Sequence, residues 1–136
     1  MDNTPILPTE EKILTDTDAE DSQYTMLVIE DNRDIATYIG EVLSERYAVA
    51  FATNGEDGWQ KAINLVPDLI ITDLMMPGMD GLELCRRIRS NDVVNHIPIV
   101  IVTAKISDQD RIKGFEAGAD AYLAKPFNVD ELRTVV

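Results

Sequence analysis

The chain has 136 residues, 45% of them apolar and 27% charged, the size and balance of one globular domain rather than a disordered segment. Its formal charge of −13 excludes a basic nucleic-acid footprint and sets it against anionic membrane surfaces, and a lone cysteine excludes an internal disulfide. No apolar run approaches the roughly 18 residues of a membrane span and no signal-peptide pattern opens the chain, so a cytoplasmic location is expected.

In chain order, residues 1–25 come first. They carry seven acids against Lys12 alone, together with Pro5 and Pro8, and read as an acidic flexible leader or linker. A folded domain is expected over residues 26–136. Met26 to Glu30 is a continuous apolar run ending in acid, and Ile35, Tyr38, Ile39, Val42 and Leu43 follow at the spacing of one helical face. Tyr47 to Phe51 is the second strand, closed by Asn54-Gly55. Trp59, Ala62, Ile63 and Val66 mark the second helix, which Pro67 stops. Asp68 to Asp73 is the third strand, and a Met-, Pro- and Gly-rich loop runs from Leu74 to Gly81.

The third helix, near Leu82 to Arg89, presents Leu84, Cys85 and Ile88 to a core, with Arg86, Arg87 and Arg89 read as its solvated face. Pro98 to Thr103 is the most apolar strand. Ile112 and Phe115 mark the helix after it, with Gly118 as its C-cap residue. Ala121 to Ala124 is a short fifth strand, and a last helix starts near Asn128, with Val129, Leu132 and Val136 on one face. His96 has no second ligand at metal-binding spacing, and Cys85 reads as a buried small hydrophobe.

Five strands alternating with five helices, three of the strands apolar on both faces, call for an α/β doubly wound parallel sheet with helices on both sides. In such sheets the functional crevice lies at the carboxyl ends of the strands. Here those ends carry Glu30-Asp31, Asp73, Thr103 and Lys125. If these strands are neighbours, three carboxylates, a hydroxyl and an amine share one edge. Crowded carboxylates raise one another's pKa and are stable at neutral pH with a cation among them. Oxygen donors without His or Cys favour Mg²⁺. A group held between Mg²⁺ and an ammonium, with a hydroxyl nearby, reads as a phosphoryl group.

At these residues the sequence resembles the receiver domains of two-component response regulators. The resemblance covers residues 26–136 and rests on Val28-Ile-Glu-Asp-Asn32, on Ile71 to Gly81, on Ile101-Val-Thr-Ala104 and on Gly118 to Phe127, all four in order. It implies a flavodoxin-like sheet of order 2-1-3-4-5 and Asp73 as phosphoacceptor. It also implies Mg²⁺ held by Asp31, by Asp73, by Glu30 through water and by the backbone carbonyl of Met75. Thr103 would bind a phosphoryl oxygen, Lys125 would pair with the phosphorylated carboxylate, and Tyr122 matches the switch aromatic. A cis peptide is expected before Pro126.

The implied partner is a histidine kinase, in cis or in trans, with a homodimer through the face of the fourth helix, fifth strand and fifth helix as a further contact. The acidic leader and the Cys-Arg-Arg-Ile wording of the third helix resemble receivers of hybrid sensor kinases, some of which carry a DNA-binding domain behind the receiver. The apolar stripe of the last helix is still running at Val136, so that helix is expected to continue in a longer protein; a stand-alone regulator cut from its effector is the other parentage. This stretch itself is expected to bind neither nucleic acid nor membrane. A rival from a different class is a Mg²⁺-dependent aspartyl-phosphate phosphatase. Those enzymes place a second acid two residues after the nucleophile, where this chain has Met75.

Overall fold

A computed structural model describes residues 24–104 and 107–136. The leader expected over residues 1–25 lies outside the described residues except at Tyr24 and Thr25, and Thr25 opens the first strand, so the fold starts one residue earlier than the expected residue 26. The elements are β1 (Thr25–Ile29), α1 (Arg33–Leu43), β2 (Ala48–Ala52), α2 (Gly55–Leu65), β3 (Leu69–Asp73), α3 (Gly81–Arg89), β4 (Ile99–Thr103), α4 (Asp108–Ala117), β5 (Ala121–Ala124) and α5 (Val129–Val135). The strands form one parallel sheet in the order β2-β1-β3-β4-β5, the architecture expected from the alternating pattern.

Every residue of β3 and β4 is buried, because helices cover both faces and each face has its own apolar layer. On one face Leu27, Ile29, Ile70, Ile99 and Ile101 pack with Ala62 of α2, Leu84, Cys85 and Ile88 of α3, and Ala117 of α4. On the other, Val28, Ile71, Val100 and Val102 pack with Ile39 and Leu43 of α1 and Leu132 of α5. Burying a Leu or Ile side chain is worth about 1.5–3 kcal/mol, so the two layers supply the main stabilising contribution.

Each strand-to-helix loop ends in a residue that caps the next helix. The side chains of Asn32, Asn54, Asp80, Ser107 and Asn128 accept the backbone N–H three residues on, at 2.8–3.1 Å. Such caps satisfy N–H groups that would otherwise lack a partner. They also fix where each loop ends at the carboxyl edge of the sheet. Gly118 closes α4 at φ 110, in the left-handed region where a side chain is strained.

Two sequence expectations about side chains need correction. Arg89 is not on a solvated face: its guanidinium donates to the carbonyls of Gly118 (2.9 Å), Asn95 (2.9 Å) and Ile97 (2.7 Å) and pairs with Asp120 at 2.7 Å. Five donors in a planar fork suit it to that junction, where the chain leaves α3 and α4 together. Val66 is not on the buried stripe of α2. It caps the helix in the left-handed region at φ 45, its N–H on the Ala62 carbonyl, and is exposed; Pro67 after it disfavours a further right-handed helical residue at that position. Ile112 and Phe115 do mark a helix, α4, but both are half exposed, and α4 buries only Gly114 and Ala117.

Candidate functional site

The strand order reverses at β1, with β2 on one side and β3 on the other, and the crevice lies outside the carboxyl ends of these strands. Glu30 and Asp31 follow β1 directly, Asp73 ends β3, Thr103 ends β4 and Lys125 follows β5. Parallel pairing of neighbours, with Ile29 beside Thr72, Asp73 beside Val102 and Thr103 beside Ala124, carries all of them to one edge. The N–H of Lys125 donates to the Thr103 carbonyl at 2.9 Å, which fixes its backbone beside β4. The Lys125–Pro126 peptide is cis.

Glu30, Asp31 and Asp73 each offer a carboxylate oxygen within 4.8 Å of the others. Glu30 and Asp73 are buried and Asp31 is exposed. The Lys125 ammonium lies 3.0 Å from Glu30 Oε1 and 3.5 Å from Asp73 Oδ1, and Glu30 Oε2 accepts from the N–H of Asn32 at 3.1 Å. Burial pushes the Glu30 carboxyl above its ordinary range, and neighbouring Asp73 adds to this; Lys125 and the Asn32 N–H pull it back only in part. A set of hard oxygen donors with excess negative charge, one member open to solvent, fits a small divalent cation that keeps some of its waters.

A pocket of about 390 Å³ opens over this edge, lined by Asp73, Met75, Thr103, Ala104, Asp110 and Lys125. Thr103 is buried in its wall, whereas Met75 lines the pocket and is 72% exposed. No acid stands at that position.

Tyr122 is set apart from these groups. It lies on β5 opposite Ile101, its hydroxyl donates to the Asp110 carbonyl at 2.7 Å, and its ring meets Phe115 edge-on at 5.7 Å. Sequence reading passed over Asp110, which joins the pocket to Tyr122. The signal available was Ser107-x-x-Asp110, the spacing of the capping box seen here. Cys85 is buried and its thiol is pushed up to about 12 by burial. His96 is exposed and belongs to no acidic or metal-binding cluster among the described residues.

Among the described residues no helix is long and apolar enough to cross a membrane. Known proteins agree with the geometry. The response regulator ArlR of Staphylococcus saprophyticus is 42% identical over 108 residues, 79% of this chain and 48% of that protein. Histidine kinase P4 of Formosa agariphila is 36% identical over 133 residues, 98% of this chain but 10% of that protein. The chain thus spans about half of one relative and a tenth of the other. The chemotaxis protein CheY4 of Vibrio cholerae superposes with a TM-score of 0.79 at 29% identity, covering 82% of this chain and 94% of that one. The model of the response regulator receiver domain matches residues 26–136, the span that carries β1 from its second residue, the other four strands and every acidic, hydroxyl and amine group of the site; this chain belongs to that family.

Proposed function

We propose that Asp73 takes a phosphoryl group from a phosphohistidine of a histidine kinase and that the domain acts as a switch rather than a turnover enzyme. The observation that carries this reading is the joint approach of Lys125 to Glu30 and Asp73 beside an exposed Asp31. One nucleophilic carboxylate at the floor of the pocket is flanked by a fixed cation and by two more acids. Asp31, Asp73 and the Met75 carbonyl would hold Mg²⁺, with Glu30 behind them. Bound there, the ion supplies positive charge against the phosphoryl oxygens.

An Asp73 oxygen attacks phosphorus, the P–N bond to the donor imidazole breaks, and an acyl phosphate forms while the imidazole leaves with the bonding pair. Lys125 faces the charge that builds on the transferring group, and Thr103 offers a hydroxyl to one of its oxygens. The exposed Met75 side chain supports slow loss of the phosphoryl group, since no carboxylate there can activate water.

The kinase can be part of the same polypeptide or a separate chain; likeness to both a histidine kinase and a response regulator supports either arrangement. Output is proposed to run through α4, β5 and α5, where Ile112 and Phe115 are half exposed and offer an apolar face to a second copy. Cytoplasmic placement, a separate leader ahead of β1 and regulation of transcription by the parent protein belong to the same proposal.

Stoichiometry tests it. With Mg²⁺ and excess small phosphodonor, the chain should take up one phosphoryl group and release it slowly, with uptake lost on adding a chelator. Sustained turnover of a phosphomonoester would overturn the switch reading.

A further inference from the structure

α4 is a ten-residue helix with glycine in its interior, at Gly114, although glycine is among the least favourable residues there. Neighbouring Tyr122 accounts for it. A Cβ on Gly114 would overlap the Tyr122 hydroxyl oxygen and two carbons of its ring. The ring fills the place where a side chain would stand, and its hydroxyl donates at 2.7 Å to the carbonyl of Asp110, one turn earlier. Phe115, the residue after the glycine, closes the site with an edge-on ring contact at 5.7 Å. Asp110 also lines the pocket above Asp73, so the phenol is tethered to the wall of the acceptor site.

We propose that Gly114 is a positioning residue: its missing Cβ is the seat of Tyr122, and it sets the balance between this ring position and one away from α4. The inference rests on the reading of Tyr122 as the switch aromatic. With any side chain at position 114 the seat is filled, and the ring stays unseated whatever the state of Asp73. The glycine thus gives Asp73 something to switch.

Two measurements on the full chain test this. In the first, 3-fluorotyrosine is incorporated and the Tyr122 ¹⁹F resonance is assigned with Tyr122→Phe. Wild type and Gly114→Ala are then compared with and without Mg²⁺ and beryllium fluoride as a phosphoryl mimic. The wild-type resonance should move on addition of the mimic, while that of Gly114→Ala should start at a different position and stay there. In the second, the unfolding midpoint is followed through a double-mutant cycle. Gly114→Ala should lower the midpoint when Tyr122 is present and raise it when Tyr122→Ala has emptied the seat, because helix propensity then acts unopposed. A Tyr122 resonance identical in wild type and Gly114→Ala, or the same midpoint change in both backgrounds, overturns the proposal. A wild-type resonance indifferent to the mimic, with the sign reversal intact, overturns the switch reading and leaves the seat standing.

Discussion

Lys125 and Glu30 are ion-paired at 3.0 Å although their strands, β5 and β1, have β3 and β4 between them. Three strand spacings, roughly 14 Å, are bridged because both side chains lean inward over the sheet edge, and Asp73 on β3 lies under the bridge, 3.5 Å from the ammonium. The lysine is therefore the standing counter-charge of two buried carboxylates.

Removing that counter-charge has two opposite effects. Lys125→Ala leaves Glu30 and Asp73 buried without a cation, which should cost about 3 kcal/mol of stability in metal-free buffer. The same change should tighten divalent-cation binding, because the ammonium no longer competes for the carboxylates. Phosphoryl transfer should slow by about 10²-fold, the usual effect of losing one preorganised charge partner. Urea unfolding with and without Mg²⁺, and a transfer rate from a small phosphodonor, measure all three.

Stability should also depend on pH through Glu30. Its carboxyl is raised above the ordinary 4.5, first by burial, so the folded chain holds this proton to a higher pH than the unfolded chain does. The resulting stabilisation is fully present below pH 4.5 and is lost as pH rises through the folded value. In a chelator, wild type should lose stability relative to Glu30→Gln as pH is raised from about 4.5 toward neutrality. Mg²⁺ should reverse that loss. Paired urea titrations across the range check the sign.

Arg89 should prove the most costly of the three α3 arginines to remove. It satisfies three backbone carbonyls and pairs with Asp120, whose carboxylate in turn accepts the N–H of Ile99 at 2.8 Å. Arg89→Ala should cost about 2 kcal/mol, since partly exposed groups recover water in place of some lost bonds. Arg89→Lys should recover little of it, because an ammonium cannot reproduce the fork. Arg86→Ala and Arg87→Ala, on exposed positions of the same helix, should stay within about 0.5 kcal/mol. Chemical denaturation of the four proteins gives the ranking.

Much of this was legible in the chain itself. Continuous apolar runs at β1, β3 and β4 announce strands buried on both faces, and the parallel sheet follows from that. Acid, hydroxyl and amine at successive strand ends then converge through topology alone, which is why Glu30, Asp31, Asp73, Thr103 and Lys125 could be named before any coordinates. Contacts between distant side chains could not be read this way. Arg89 has the same composition and spacing as Arg86 and Arg87, and its partners lie on segments that only the fold brings near. Ile112 and Phe115 follow helical spacing, yet α4 packs through Gly114 and Ala117 and leaves the larger residues outside. Glycine inside a helical pattern was the visible sign of that arrangement, but its cause, the Tyr122 ring, is supplied by β5.

Phosphoryl uptake at Asp73 can be read directly. Wild type and Asp73→Asn are incubated with Mg²⁺ and a small phosphodonor, and phosphoryl uptake is read by intact mass before and after hydroxylamine, which cleaves acyl phosphates. Wild type should carry one hydroxylamine-labile phosphoryl group and Asp73→Asn none. Stoichiometric uptake by Asp73→Asn would contradict Asp73 as the acceptor.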